Sequence, residues 1–130
     1  MISSEHALLI IDMQQGLFHG PVSPYQADAL LANVCLLIEK ARQAEVPVFF
    51  ARHTGPDDSP FSAQSPLTQL LPEMGVNGER DIVFIKRYPS CFQHTDLAHR
   101  LAHIGFEFLI DTVDTLHPFF AGEDFVNTVA

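Results

Sequence analysis

The stretch ALLIIDMQQGLF, residues 7–18, decides the fold. Five apolar residues run without a break and then meet an acid, Asp12, followed by amides. A continuous apolar run of this length suits a strand covered on both faces, as in a parallel sheet. The acid at its end then stands at the edge of such a sheet, where burial obliges a carboxylate to find a partner.

Outward from this strand the chain alternates. Residues 16–25 carry glycines and prolines and read as a loop. Over residues 26–45, Leu30, Leu31, Val34, Leu37, Ile38 and Ala41 recur at helical spacing, and Pro47 ends the helix. VPVFFAR is a second buried strand, and residues 53–65 form a long loop rich in Gly, Pro, Asp and Ser. A short helix is expected over residues 66–71. DIVFIK is a third strand ending in Lys86. Thr95 or Asp96 caps a helix through Leu97, Leu101 and Ile104, with Gly105 as its stop. FEFLID is a fourth strand ending in Asp111, and AGEDFVNTVA reads as a closing helical turn or two. This β-α-β-loop-β-α-β-α order argues for a parallel sheet with helices on its faces. Right-handed crossovers put Asp12, Arg52, Lys86 and Asp111 at the carboxyl ends of the strands, the edge where ligands bind in such sheets.

Composition narrows the function classes. The 130 residues suit one domain, and 47% are apolar, including eleven Phe and no Trp. A net charge of −9 with seven Lys and Arg argues against nucleic acid and against an anionic membrane surface. The N-terminus lacks the basic and apolar regions of a signal peptide, and no apolar run reaches the ~18 residues of a membrane span. Cys35 and Cys91 make no disulfide framework, so a reducing cytoplasm is the expected location.

Asp12 and Lys86 form the candidate constellation. A carboxylate beside an ammonium can shuttle a proton and hold a developing charge if the two strands are adjacent. A structural ion pair, or an Asp capping a turn, is the competing explanation. His99 and His103 lie four apart on one helix face, which better fits a solvated face than a metal site, and no zinc spacing occurs. His53 follows the second strand and either contacts substrate or caps the loop. Cys91 is better explained as a small buried residue than as a nucleophile. Phosphate-binding glycine motifs and a nucleophile elbow are absent.

ALLIIDMQQGLF, LIEKARQAEVPVFFARHTG, SPLTQLLPEM and DIVFIKRYPSCFQHTDLAHRLAHIGF, in this order and spacing, resemble the isochorismatase-like cysteine hydrolases. DMQ after an apolar strand and the K-x-x-P-S-x-F-x-x-T-x-L block starting at Lys86 are specific when found together. The resemblance runs from about residue 7 to residue 105. It implies a Rossmann-like three-layer α/β/α sandwich with a parallel sheet, shortened relative to the family. It implies an Asp-Lys-Cys triad, with Asp12 taking the thiol proton and Lys86 holding the thiolate. Gln14, Phe18, His53, Tyr88 and Phe92 are expected to line the substrate pocket. Substrates of the family are small amides, ureides and the vinyl ether isochorismate, and its members are commonly dimers or larger; neither cofactor nor metal is expected.

The chain departs from the pattern where the cysteine belongs, at the start of the helix after the fourth strand. In one alignment Thr112 replaces a glycine, Thr115 matches a threonine and Pro118 takes the cysteine position. In the other, favoured because it needs no odd substitutions, LIDTVDT matches a later strand, and the nucleophile segment with its helix and a strand is absent. Neither alignment puts a cysteine there. Three outcomes follow: a hydrolase in which Asp12 acts as an acid and water does the rest; a non-catalytic relic or binding module; or a single domain, residues 1–130, with its C-terminal part incomplete or internally deleted and completed by a partner chain.

Overall fold

The structure is a computed structural model that describes residues 6–103, 108–111 and 125–127, and side chains up to residue 102. In chain order it contains β1 (His6–Ile11), α1 (Gln15–Phe18), α2 (Ala27–Gln43), β2 (Val48–His53), two 3-10 turns (Pro66–Thr68 and Pro72–Met74), β3 (Ile82–Lys86), α3 (Leu97–His103), β4 (Phe108–Asp111) and β5 (Phe125–Asn127). The strands form one parallel sheet in the order β3-β2-β1-β4-β5. This is the expected α/β architecture.

Alternation along the strands builds a core on each face. Leu8 and Ile10 of β1 and Val48 and Phe50 of β2 meet Val34, Ile38 and Ala41 of α2. Leu9 and Ile11, with Phe49 and Ala51, point the other way and meet Phe84, Leu97 and Leu101 of β3 and α3. The apolar runs are uninterrupted because both faces are covered. Phe49 and Phe50 are fully buried on opposite faces, each worth roughly 2–3 kcal/mol in transfer free energy.

The helix expected over residues 26–45 is α2. Asp28 in its first turn and Lys40 and Arg42 in its last complement the helix dipole. Arg42 also clamps the buried Asp81 at 2.7 Å and donates to the Gly75 carbonyl at 3.0 Å, tying the helix end to the approach to β3. At the start of α3, Thr95 Oγ1 accepts from the Leu97 amide at 3.3 Å, and Arg100 pairs with Asp96 at 2.8 Å. Ile104 and Gly105 lie outside the described residues.

Three expectations are corrected. Residues 16–25 are not wholly loop, because Gln15–Phe18 makes a helical turn that buries Phe18. The helix expected over residues 66–71 is replaced by two 3-10 turns, each with proline in its first turn, separated by extended residues at Gln69 and Leu71. The closing helix gives way at Phe125–Asn127 to β5, which pairs in parallel with Leu109–Asp111. Phe and Val are strand formers, and a sheet edge that offers unpaired backbone groups outweighs a weak helical pattern.

Candidate active site

Asp12 is the first residue after β1 and adopts φ +60°, a left-handed conformation that Asp tolerates better than most residues. Its amide still bonds Ala51 of β2 at 3.4 Å, so the chain leaves the sheet at the carboxylate. The side chain is 9% exposed, and Oδ1 lies 3.2 Å from Lys86 Nζ. Oδ1 has no aligned hydrogen bond among the described residues.

Lys86 closes β3, and its side chain is 1% exposed. Its ammonium also donates to the Pro89 carbonyl at 3.1 Å. The strands of Asp12 and Lys86 are not adjacent, as the sheet order puts β2 between them. Neighbouring strands are ~4.8 Å apart, so the long lysine stem crosses the end of β2 to reach the carboxylate. The Thr54 amide to Lys86 carbonyl bond of 3.0 Å holds the ends of β2 and β3 together.

The pair faces a cavity of about 410 Å³ lined by Asp12, Leu17, His53, Gly55, Phe61, Lys86 and Pro89. Its walls are mostly apolar and its charges converge at one end, the usual composition of a small-molecule site. His53, half-buried at the end of β2, sits with its ring 6.4 Å from that of Phe61 and tilted by 41°.

Of the expected binding residues, only His53 lines this cavity. Gln14 is fully buried and its amide is spent on the fold. Nε2 donates to the carbonyls of His53 and Thr68, both at 2.8 Å, and Oε1 accepts from the His53 amide at 2.9 Å. Phe18 belongs to the α2-side core, and Phe92 packs against the core on the other face. Tyr88 is 39% exposed, its ring 5.1 Å from that of His94. Arg52 turns to Thr68 and Ala63 rather than to the cavity. Asp111 stands opposite Leu9 in the register, with its side chain outside the described residues.

Leu17, Gly55, Phe61 and Pro89 were not anticipated. Leu17 precedes Phe18 on a helical turn the pattern had not revealed. Phe61 sits in a loop without periodicity. Pro89 was visible only as part of the block after Lys86.

Neither cysteine lines the cavity. Cys35 lies on α2, where its thiol donates to the Glu73 carbonyl at 3.5 Å, and burial together with Glu73 pushes the thiol up. Cys91 is buried in the α3-side core. Thr112, Thr115 and Pro118 lie outside the described residues. Among the described residues no three His, Cys, Asp or Glu side chains converge as a metal site, and no helix is long and apolar enough to cross a membrane.

Comparison with known proteins adds the decisive observation: an isochorismatase domain model matches residues 6–112. The chain belongs to the isochorismatase family. It is 32% identical over 121 residues to the isochorismatase family protein YecD of Escherichia coli O157:H7, covering 82% of this chain and 61% of YecD. It is 28% identical over 104 residues to the secreted isochorismatase effector Isc1 of Verticillium dahliae, covering 79% of this chain and 54% of Isc1. The crystal structure of an isochorismatase from Pseudomonas putida KT2440 superposes with a TM-score of 0.76 at 32% identity, over 86% of this chain and 57% of that one. The chain thus spans a little over half the length of these isochorismatase relatives. The family match contains both Asp12 and Lys86 and the segments that bring them together.

Proposed function

We infer that the chain is an isochorismatase-family hydrolase that uses Asp12 and Lys86 on a small amide, ureide or vinyl-ether substrate without a cysteine nucleophile. One observation carries this reading: a carboxylate and an ammonium, 3.2 Å apart and nearly buried, face a cavity of substrate size at the carboxyl edge of a parallel sheet. On a vinyl ether, Asp12 acts as an acid once its carboxylate has taken up a proton from solvent, which it delivers to the terminal alkene carbon. Water then adds to the resulting oxocarbenium carbon and gives up a proton to the Asp12 carboxylate, and the hemiketal collapses to an alcohol and a ketone. The Lys86 ammonium balances the carboxylate charge left by the transfer. Leu17, Phe61 and Pro89 keep bulk water from the charged end.

A second reading, a non-catalytic binding module of the same fold, is favoured by the absence of both cysteines from the cavity lining. Purified protein assayed against isochorismate and a panel of small amides and ureides, beside Asp12→Ala, separates the two. Turnover lost in the variant supports the hydrolase. No turnover of any substrate by a folded sample leaves the binding module.

A homodimer or larger assembly belongs to the same proposal. Val83 and Ile85, 40% and 44% exposed on β3 at one end of the sheet, support it, and light scattering at monomer mass would remove it. The proposed location is a reducing cytoplasm, although the relative Isc1 is a secreted protein.

A further inference from the structure

We propose that Gln14 and Arg52 are positioning residues that hold residues 54–70 at Thr68 and so set the Phe61 wall of the cavity that Asp12 and Lys86 also line. The proposal rests on that cavity being the ligand site.

Both side chains converge on one buried residue. The Thr68 carbonyl accepts from Gln14 Nε2 at 2.8 Å and from Arg52 Nε at 3.0 Å. Thr68 Oγ1 accepts from the Arg52 guanidinium at 2.6 Å and donates to the Ser65 carbonyl at 2.9 Å. The same guanidinium donates to the Ala63 carbonyl. Gln14 also grips both backbone groups of His53, so one amide fixes the end of β2 and the far end of the loop. Main-chain bonds run beside this clamp, from Gln15 to Gln69 at 2.8 Å and from Leu71 to Met13 at 3.0 Å.

Between the tethered ends lies Phe61. The Gly55 amide donates to its carbonyl at 2.7 Å, and its ring reaches α1 at Gly16. A Cβ at Gly16 would stand 2.7 Å from Phe61 Cε1 and 2.9 Å from Leu67 Cβ, so the loop closes on the helical turn to the limit of contact. Long charged and amide side chains lose much rotamer freedom when buried. Two of them locked on Thr68, neither lining the cavity, make sense if the position of the loop matters. Gln14 is fully buried and spends both Nε2 hydrogens and its Oε1 on backbone groups, so it specifies one arrangement, because any slip leaves an unsatisfied group.

The test places 4-fluorophenylalanine at position 61 and follows its single fluorine resonance in the full chain. Gln14→Met and Arg52→Lys are expected to move the resonance toward its position in urea-unfolded protein while the rest of the fold persists. Arg42→Met, which breaks the remote clamp on Asp81, is expected to leave it in place. With any substrate that is turned over, the first two variants raise KM and leave kcat nearly unchanged, since a wall binds ground and transition states alike. If Gln14→Met does not fold, Thr68→Val takes its place. A resonance unmoved by the Thr68-directed variants, or moved as far by Arg42→Met, would overturn the proposal. The fluorine signal needs no substrate, so failure of the hydrolase reading leaves this result standing.

Discussion

Asp12 serves two demands at one position, a left-handed backbone and a negative charge beside a buried ammonium. Asp12→Asn keeps the first and removes the second, because Asn also tolerates positive φ. Lys86, at 1% exposure, then loses its counter-charge, and we expect a loss of about 3 kcal/mol in urea unfolding. Asp12→Asn combined with Lys86→Met should cost less than the sum of the single changes, since the pair couples. Equal or additive losses would show that the ion pair is energetically idle. Cys35 offers a pH test. Its raised thiol stays protonated to higher pH, so the midpoint of the iodoacetamide labelling rate against pH in a Cys91→Ala background should lie above the ordinary thiol value of 9.0. A midpoint at or below that value would contradict the burial seen on α2.

Among the elements, α2 anchors one face of the sheet. Ile38→Ala at 1% exposure should cost about 2–4 kcal/mol, whereas Leu36→Ala, 49% exposed two residues earlier, should stay within about 0.5 kcal/mol. Gly16→Ala gains helix propensity but drives a methyl into Phe61 and Leu67, and a net loss of about 1 kcal/mol or more is expected by thermal unfolding. Strands β1, β2 and β3 were readable because each is a short apolar run bounded by charge or turn residues. The same pattern put Asp12 and Lys86 on one edge. What periodicity cannot carry is distance across the sheet. The intervening β2 and the lysine that crosses it depend on strand order, a property of the whole chain. Gln14 shows a related limit, because an amide beside a buried acid has the same appearance in sequence whether it faces ligand or backbone. Phe61 reaches the site through a loop closure, which leaves no repeating signal.

At the scale of the molecule, the sheet order explains why the site lies where it does. β1 is flanked by β2 and β4, and its neighbouring faces are covered by α2 and α3. The residue leaving its carboxyl end is therefore shielded from water on several sides while remaining open to the cavity. Lys86 and His53, paired in the β2–β3 register, complete the polar end, and the loop over residues 54–70 supplies an apolar wall. The polar end of the cavity thus carries a carboxylate and an ammonium, and neither Cys35 nor Cys91 lines it. The most direct test compares turnover of one substrate by wild type, by Cys35→Ala/Cys91→Ala and by Asp12→Asn. The account predicts that the cysteine-free protein retains its rate, while Asp12→Asn loses at least about 100-fold in kcat, the scale of a lost proton-transfer group. A cysteine-free protein as inactive as Asp12→Asn, or an Asp12→Asn protein of undiminished kcat, would contradict it.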